Sequence, residues 1–186
     1  RREEWQPEEI EAIRGIEAIA PRSPLSLQYW GEYFDGRGNA PRAIESFRRA
    51  FDLDRRQVGL LRWTSGLELR RGNVAAAEEA LREALRLEPD DEYARNDWIE
   101  FLADAGRYDE ALSAAEAVAA ANPLDPERRK RVAGILDRAG RSAEARAAWD
   151  EAIVLSPGDD QARRVIAARA GGGLATPEGS DAFWAP

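Results

Sequence analysis

The residues best suited to chemistry in this sequence are two pairs of adjacent aspartates, Asp90-Asp91 and Asp159-Asp160. Paired carboxylates can hold a divalent cation or act together as a general acid and base. In each pair, however, one aspartate stands two residues after a proline and just before a helical pattern, where the N-cap of a helix is expected. Helix capping explains both pairs better than a metal or proton-transfer site does.

The composition removes most other catalytic chemistry. The chain has 186 residues and contains no cysteine, no histidine and no methionine. Nucleophilic triads built on histidine, zinc sites with imidazole or thiolate ligands, and disulfides are therefore excluded. Without a phosphate-binding loop as well, we predict a protein that is not an enzyme and uses no cofactor and no metal.

The charge balance limits the class of partner. There are 27 basic and 35 acidic side chains, giving a net charge of −8, which argues against nucleic-acid binding because that needs a basic surface. No apolar run is long enough to span a bilayer, so we predict no membrane insertion. The chain begins with Arg1 and not with methionine, so we expect a piece of a longer protein and leave its compartment open.

The sequence has one strongly basic run, 128–131. We interpret it as a solvated first turn of a helix. The alternative hypothesis is that it contacts an acidic segment of a partner.

An internal repeat determines the elements that position these residues. Segments that begin at Gly38, Gly72, Gly106 and Gly140 share one pattern, and each starts 34 residues after the previous one (72 − 38 = 34). An alanine follows each glycine after five residues, a mostly bulky residue after nine, a small apolar residue after twelve and, in the last three segments, a proline after seventeen. The alanines permit close helix packing, the prolines end helices, and the glycines suit a left-handed residue at a helix end. Each unit is therefore predicted to be helix, turn, helix, turn.

These glycine, alanine, aromatic or leucine, and proline positions, with Trp30 and Trp98 eight residues before a glycine, resemble the tetratricopeptide repeat. The resemblance implies an all-α fold, a right-handed α-solenoid of helix-turn-helix repeats. We expect a half-repeat or capping helix within 1–23 (with Pro21 ending it) and a solvating helix over 160–170. Between them we expect four repeats: 24–57, 58–91, 92–125 and 126–159.

The first helix of the second unit departs from the pattern. Its apolar positions hold Thr64 and Glu68, and Trp63 lies one residue out of phase with Trp30 (63 − 30 = 33). One interpretation is a local slip near 54–57 with the tryptophan still packed. The other is that Trp63 is exposed on the binding surface as an anchor for a ligand.

The resemblance also implies a function: a non-catalytic scaffold that binds a protein or peptide segment in a concave groove lined by the first helices. Three charged residues, Arg70, Asp104 and Arg138, occupy equivalent positions of successive repeats. We interpret them as a ladder of ion pairs between repeats. The positions that would form a chaperone-type carboxylate clamp hold unsuitable residues such as Glu32 and Asp97, so no clamp is predicted. The predicted binding residues are Tyr29, Glu32, Arg62, Trp63, Tyr93, Asn96, Glu100, Lys130 and Arg131.

Residues 171–186 begin with three glycines and contain an apolar pair, Phe183-Trp184, which predicts a flexible tail or linker. An alternative is that this pair docks on the chain or on a neighbour, giving weak self-association; Trp5 and the first half-repeat are a second route to self-association. The alternative function is a spacer or accessory segment of a larger enzyme or envelope-associated assembly.

Overall fold

The computed structural model describes residues 7–20 and 22–170, which form α-helices and no strand. The predictions that concern Trp5, Pro21 and residues 171–186 lie outside this part of the chain. Ten helices occur within it: α1 (Pro7–Ile19), α2 (Pro24–Gly36), α3 (Ala40–Leu53), α4 (Gly59–Arg70), α5 (Val74–Leu87), α6 (Glu92–Asp104), α7 (Tyr108–Ala121), α8 (Pro126–Arg138), α9 (Ser142–Leu155) and α10 (Asp160–Ala170).

The chain divides into two compact units, the first ending at Asp97 and the second beginning at Trp98, within α6. In the first unit α2 packs on α3, and α4 packs on α3 and α5. In the second unit α8 packs on α7 and α9, and α10 packs on α9. We call α2, α4, α6 and α8 the first helices, and α3, α5, α7 and α9 the second helices.

The glycines that mark the repeat lie in the turn between first and second helices. Gly72, for example, has a φ of 78°, and the amide of Asn73 behind it donates to the carbonyl of Glu68, 2.9 Å away. Because only glycine adopts this left-handed conformation without strain, the turn requires glycine. The predicted role of the glycines is confirmed.

Small residues lie where the helices approach each other most closely. The four alanines that follow the repeat glycines by five residues are completely buried, and so are most of the small residues seven positions later. The bulky residue between them, such as Phe47 or Leu81, fills the adjoining space and is buried as well. The core predicted from the 34-residue repeat is confirmed at these positions. The alanines five residues after a repeat glycine are Ala43, Ala77, Ala111 and Ala145, and the buried alanines seven positions later are Ala50, Ala84 and Ala152.

One aspartate of each candidate pair caps a helix, and Asp125 at the equivalent position of the repeat does the same. Asp91 accepts a hydrogen bond from the amide of Tyr93 at 2.9 Å, and Asp125 accepts one from the amide of Glu127 at 3.0 Å. Asp159 accepts from the amides of Gln161 at 2.8 Å and Ala162 at 3.1 Å. These contacts satisfy amides that have no partner within the helix. The capping interpretation is confirmed.

Helix α4 carries polar groups into the core of the first unit. The Thr64 hydroxyl is buried and donates to the carbonyl of Leu60 at 2.8 Å. Glu68 is only 3% exposed, and its carboxylate accepts from Arg48 at 2.9 Å, Arg71 at 3.2 Å and Asn73 at 2.8 Å. Both residues therefore occupy the apolar positions of the repeat, with their polar atoms hydrogen-bonded within the first unit.

In the part of the chain that the structure describes, no helix combines the length and the apolar character required to cross a bilayer. The same residues contain no group of three or more carboxylates placed to hold a metal ion.

Candidate binding surface on the first helices

Two ion pairs hold the first helices of the first unit side by side. Arg70 of α4 contacts Asp35 of α2 at 2.5 Å, and Arg62 of α4 contacts Asp97 of α6 at 2.7 Å. In both pairs the partners are 35 residues apart in sequence. Arg70 of the predicted ladder therefore pairs between repeats, with Asp35 as its partner, whereas the Arg62–Asp97 pair is not part of that prediction.

Arg62 is fixed on both sides by residues of α6. Its guanidinium lies over the Tyr93 ring, 5.0 Å from the ring centroid, while its Nε donates to Asp97 Oδ2. Arg62 and Asp97 are about a quarter exposed or less, whereas Tyr93 is 68% exposed. Arg62 therefore supports the tyrosine from one face and leaves much of the ring open to a ligand.

Trp63 is packed and exposed at the same time. Its ring centroid lies 5.3 Å from that of Phe47 at an angle of 55°, and Phe47 is buried against Gly31 of α2. Nevertheless 43% of Trp63 remains exposed. The packing agrees with the slip interpretation, and the exposed part is what the anchor interpretation requires.

Glu32 stands apart from the other acids of this surface. It is half-buried on α2 and accepts a hydrogen bond from Gln28 at 3.0 Å, but within the described residues it has no basic partner. Tyr29 and Asn96, the other predicted binding residues of this unit, are also half-buried. The unit therefore contains six of the predicted binding residues: Tyr29, Glu32, Arg62, Trp63, Tyr93 and Asn96.

In the second unit, two arginines of α8 approach the acids of α6. Arg138 contacts Asp104 at 2.5 Å and Glu100 at 3.6 Å, and Arg131 lies 3.8 Å from Glu100. Between the two arginines is Gly134, where an added Cβ would meet no atom within 4 Å. The Asp104–Arg138 pair is the second observed part of the predicted ladder.

Lys130 is held by the aspartate that caps α10 and by a glutamate of its own helix, α8. Its Nζ is 2.6 Å from Asp159 Oδ2 and 2.6 Å from Glu127, and the side chain is 11% exposed. Burial lowers the pKa of Lys130, but the hydrogen bonds to Asp159 and Glu127 outweigh it, so its pKa is raised. The same hydrogen bond, with the α10 amides, lowers the pKa of Asp159. This geometry gives Lys130 a structural role; binding by Lys130 stays a prediction.

The expectation that the basic run 128–131 forms a solvated turn is wrong. All four side chains reach oxygen atoms of the same unit, because the start of α8 is surrounded by acids from the flanking helices and turns. The partners are Asp125 and the Val118 carbonyl for Arg128, Glu116 and Glu151 for Arg129, Glu127 and Asp159 for Lys130, and Glu100 for Arg131.

Sequence reasoning missed two residues that shape the surface. Asp97 fixes Arg62, and Gln28 orients Glu32. Both involve simple spacings: Arg62 and Asp97 carry opposite charges 35 residues apart, one more than the repeat length, and Gln28 precedes Glu32 by four residues on one face of a helix.

Comparisons with known proteins agree with this architecture. A family model described as "Tetratricopeptide repeat" matches residues 30–92 and 102–160, which is well over half of the chain. A search of curated proteins found no significant match to this chain.

Several solved structures are similar in fold. MamA is 19% identical, with a TM-score of 0.65 over 90% of this chain and 86% of that one. YrrB, described as a TPR protein with an unusual peptide-binding site, is 19% identical, with a TM-score of 0.67 over 86% and 84%. TTC0263, a TPR protein of Thermus thermophilus, is 20% identical, with a TM-score of 0.61 over 87% and 88%.

Proposed function

We propose a function from one premise: this chain belongs to the tetratricopeptide repeat family. The fold class predicted from the sequence, an all-α solenoid of helix-turn-helix repeats, is thereby confirmed. Proteins with this fold typically take part in protein–protein interaction and typically lack catalysis. The function proposed for this chain is a non-catalytic scaffold that binds a peptide or protein segment on its first helices.

The exposed aromatic residues of the first helices carry this proposal. Trp63 and Tyr93 are 43% and 68% exposed, although large aromatic side chains are usually covered. Each is also supported from behind, Trp63 by Phe47 and Tyr93 by Arg62. A rigid, partly exposed aromatic ring loses little conformational entropy on binding, and such residues dominate the energy of many interfaces.

The charged residues of the predicted set differ in what they can offer a ligand. Arg62, Lys130 and Arg131 already contact acids of their own unit, so we assign them to fixing the shape and field of the surface. Glu32, Tyr29 and Asn96 are half-buried on the first helices and are assigned to direct contact. YrrB, which shares the fold, is described as having a peptide-binding site; that likeness supports only the capacity of the fold for one.

A peptide-display experiment tests the proposal. Peptides enriched from a random library on the full chain are labelled, and their dissociation constants are measured by fluorescence anisotropy. Trp63→Ala and Tyr93→Ala are each expected to weaken binding more than about tenfold, as expected of aromatic anchors that the bound peptide covers. Leu53→Ala is the matched control, because Leu53 is 49% exposed at the end of a second helix and its loss should change binding less than about twofold.

Two results would refute the proposal. One is the failure of any peptide to enrich on the folded chain. The other is equal binding by all three variants, with circular dichroism showing that each variant keeps its helices.

A further inference from the structure

We propose that Glu32 is the subsite for a basic side chain, lysine or arginine, of an extended basic partner segment, with the exposed rings of Trp63 and Tyr93 on the first helices as further contacts for that segment. The inference rests on the proposed function and names the chemistry of the partner.

The first step is a gap in the ladder of ion pairs. Asp35 of α2 is paired with Arg70 of α4. One helical turn earlier on α2 is Glu32, and one turn earlier on α4 is Gly66. Glycine has no side chain that could neutralise the glutamate, and within the described residues no other basic group reaches it. Glu32 therefore keeps an uncompensated negative charge in a half-buried position.

The second step concerns the cations of the same surface. Arg62 forms an ion pair with Asp97, and Arg70 forms one with Asp35. The charge of each arginine is compensated by its aspartate, which reduces the attraction of this surface for an acidic partner, whereas a basic partner would meet a carboxylate that lacks a cation. The surface of this unit therefore favours a positive ligand, and the net charge of −8 on the chain favours its approach.

The third step is that the aromatic residues of this surface suit cations. The Arg62 guanidinium lies 5.0 Å from the Tyr93 ring centroid, which shows the arrangement that a guanidinium takes on this ring. The exposed part of the tyrosine and that of Trp63 can receive further cations in the same way. A segment in which basic residues alternate with small ones could place one cation at Glu32 and others on these rings.

The test uses two labelled ten-residue peptides, one alternating arginine with serine and one alternating glutamate with serine, and the full chain at about physiological ionic strength. We expect the basic peptide to bind more tightly than the acidic one, and Glu32→Gln to weaken it about five- to tenfold. Glu45→Gln is the matched control: Glu45 is exposed on α3 and has no basic partner within the described residues. The control removes the same charge and should change binding less than about twofold. Glu32→Lys should reverse the preference, whereas Glu45→Lys should not.

Three outcomes would overturn the inference: no binding of the basic peptide, a preference of the native chain for the acidic peptide, or equal weakening by Glu32→Gln and Glu45→Gln. The last would mean a general attraction to the acidic surface. None of them decides the proposed function, because peptides selected by display, tested with Trp63→Ala and Tyr93→Ala, report on that function separately.

Discussion

Replacing Gly31 by alanine tests the closest contact between α2 and α3. Gly31 is buried on α2, and a Cβ built there would lie 2.3 Å from Cε1, 2.5 Å from Cδ1 and 2.8 Å from Cζ of Phe47. These distances are too short for a contact between two carbon atoms that are not bonded to each other. The Phe47 ring is itself buried and contacts Trp63, so it has little room to move away.

Two opposing effects determine the size of the change. Alanine in the interior of a helix is more favourable than glycine by about 0.5–1 kcal/mol. An extra methyl group in a packed core costs about 1–3 kcal/mol, occasionally more. The overpacking term is larger because the contact is with a ring that cannot shift freely. We expect Gly31→Ala to lower the free energy of unfolding by roughly 1–2 kcal/mol, or the melting temperature by roughly 2–8 °C for a chain of this size.

Urea denaturation followed by circular dichroism measures this change, with Gly134→Ala as the control. Gly134 is also inside a first helix, but a Cβ there meets open space, so alanine is expected to stabilise by about 0.5–1 kcal/mol. Phe47→Leu combined with Gly31→Ala should destabilise less than the sum of the two single changes, because the smaller side chain relieves the clash. If Gly31→Ala stabilised the protein as Gly134→Ala does, α2 and α3 could not approach as described.

Two further predictions concern buried and capping charges. Glu68→Ala should lower the free energy of unfolding by about 2 kcal/mol in urea denaturation, since it leaves a cavity and removes the contacts to Arg48 and Arg71. Glu68→Leu should lower it by less, since it fills the space and those arginines are 54% and 39% exposed and can be hydrated; equal losses would contradict this. Lys130→Met should speed hydrogen exchange of the α10 amides at neutral pH, because it removes the partner of Asp159, and unchanged exchange would show that the pair does not dock α10. The pKa of Asp159 is lowered from 3.8, so its contribution is present above that pH and lost as the pH falls through the lower value. The pKa of Lys130 is raised from 10.5, so its contribution is present below that pH and lost as the pH rises through the higher value.

The parts of the fold that sequence could predict depend on local or repeated constraints. An alanine such as Ala77 is needed wherever two helix backbones approach, and Gly72 is needed wherever the chain takes a left-handed turn. Both requirements recur every 34 residues, so a single sequence displays them several times. Helix capping by Asp125 is equally local, because the donor amide is two residues away.

The parts that sequence could not predict depend on which distant groups meet. Arg128–Arg131 looks like a solvated charge run in sequence, since nothing local shows that acids as distant as Glu151 and Asp159 lie beside it. Glu68 looks like a break in the repeat for the same reason: its partner Arg48 is 20 residues away on another helix. In both cases the unpredicted element is an ion pair between helices, whose partners are chosen by the packing of the apolar faces.

On the proposed function, the ion pairs that fix the first helices also decide which charged groups remain for a ligand. In the first unit each arginine of the ladder has its own aspartate, so the unmatched group is the carboxylate of Glu32. In the second unit Arg131 and Arg138 both lie near Glu100, at 3.8 and 3.6 Å, and Arg138 also contacts Asp104. The proposal of a basic partner segment therefore concerns the first unit. On the proposed function, we therefore expect specificity in the first unit to depend on Glu32, where the repeat leaves an ion pair incomplete, while the repeated positions supply the framework.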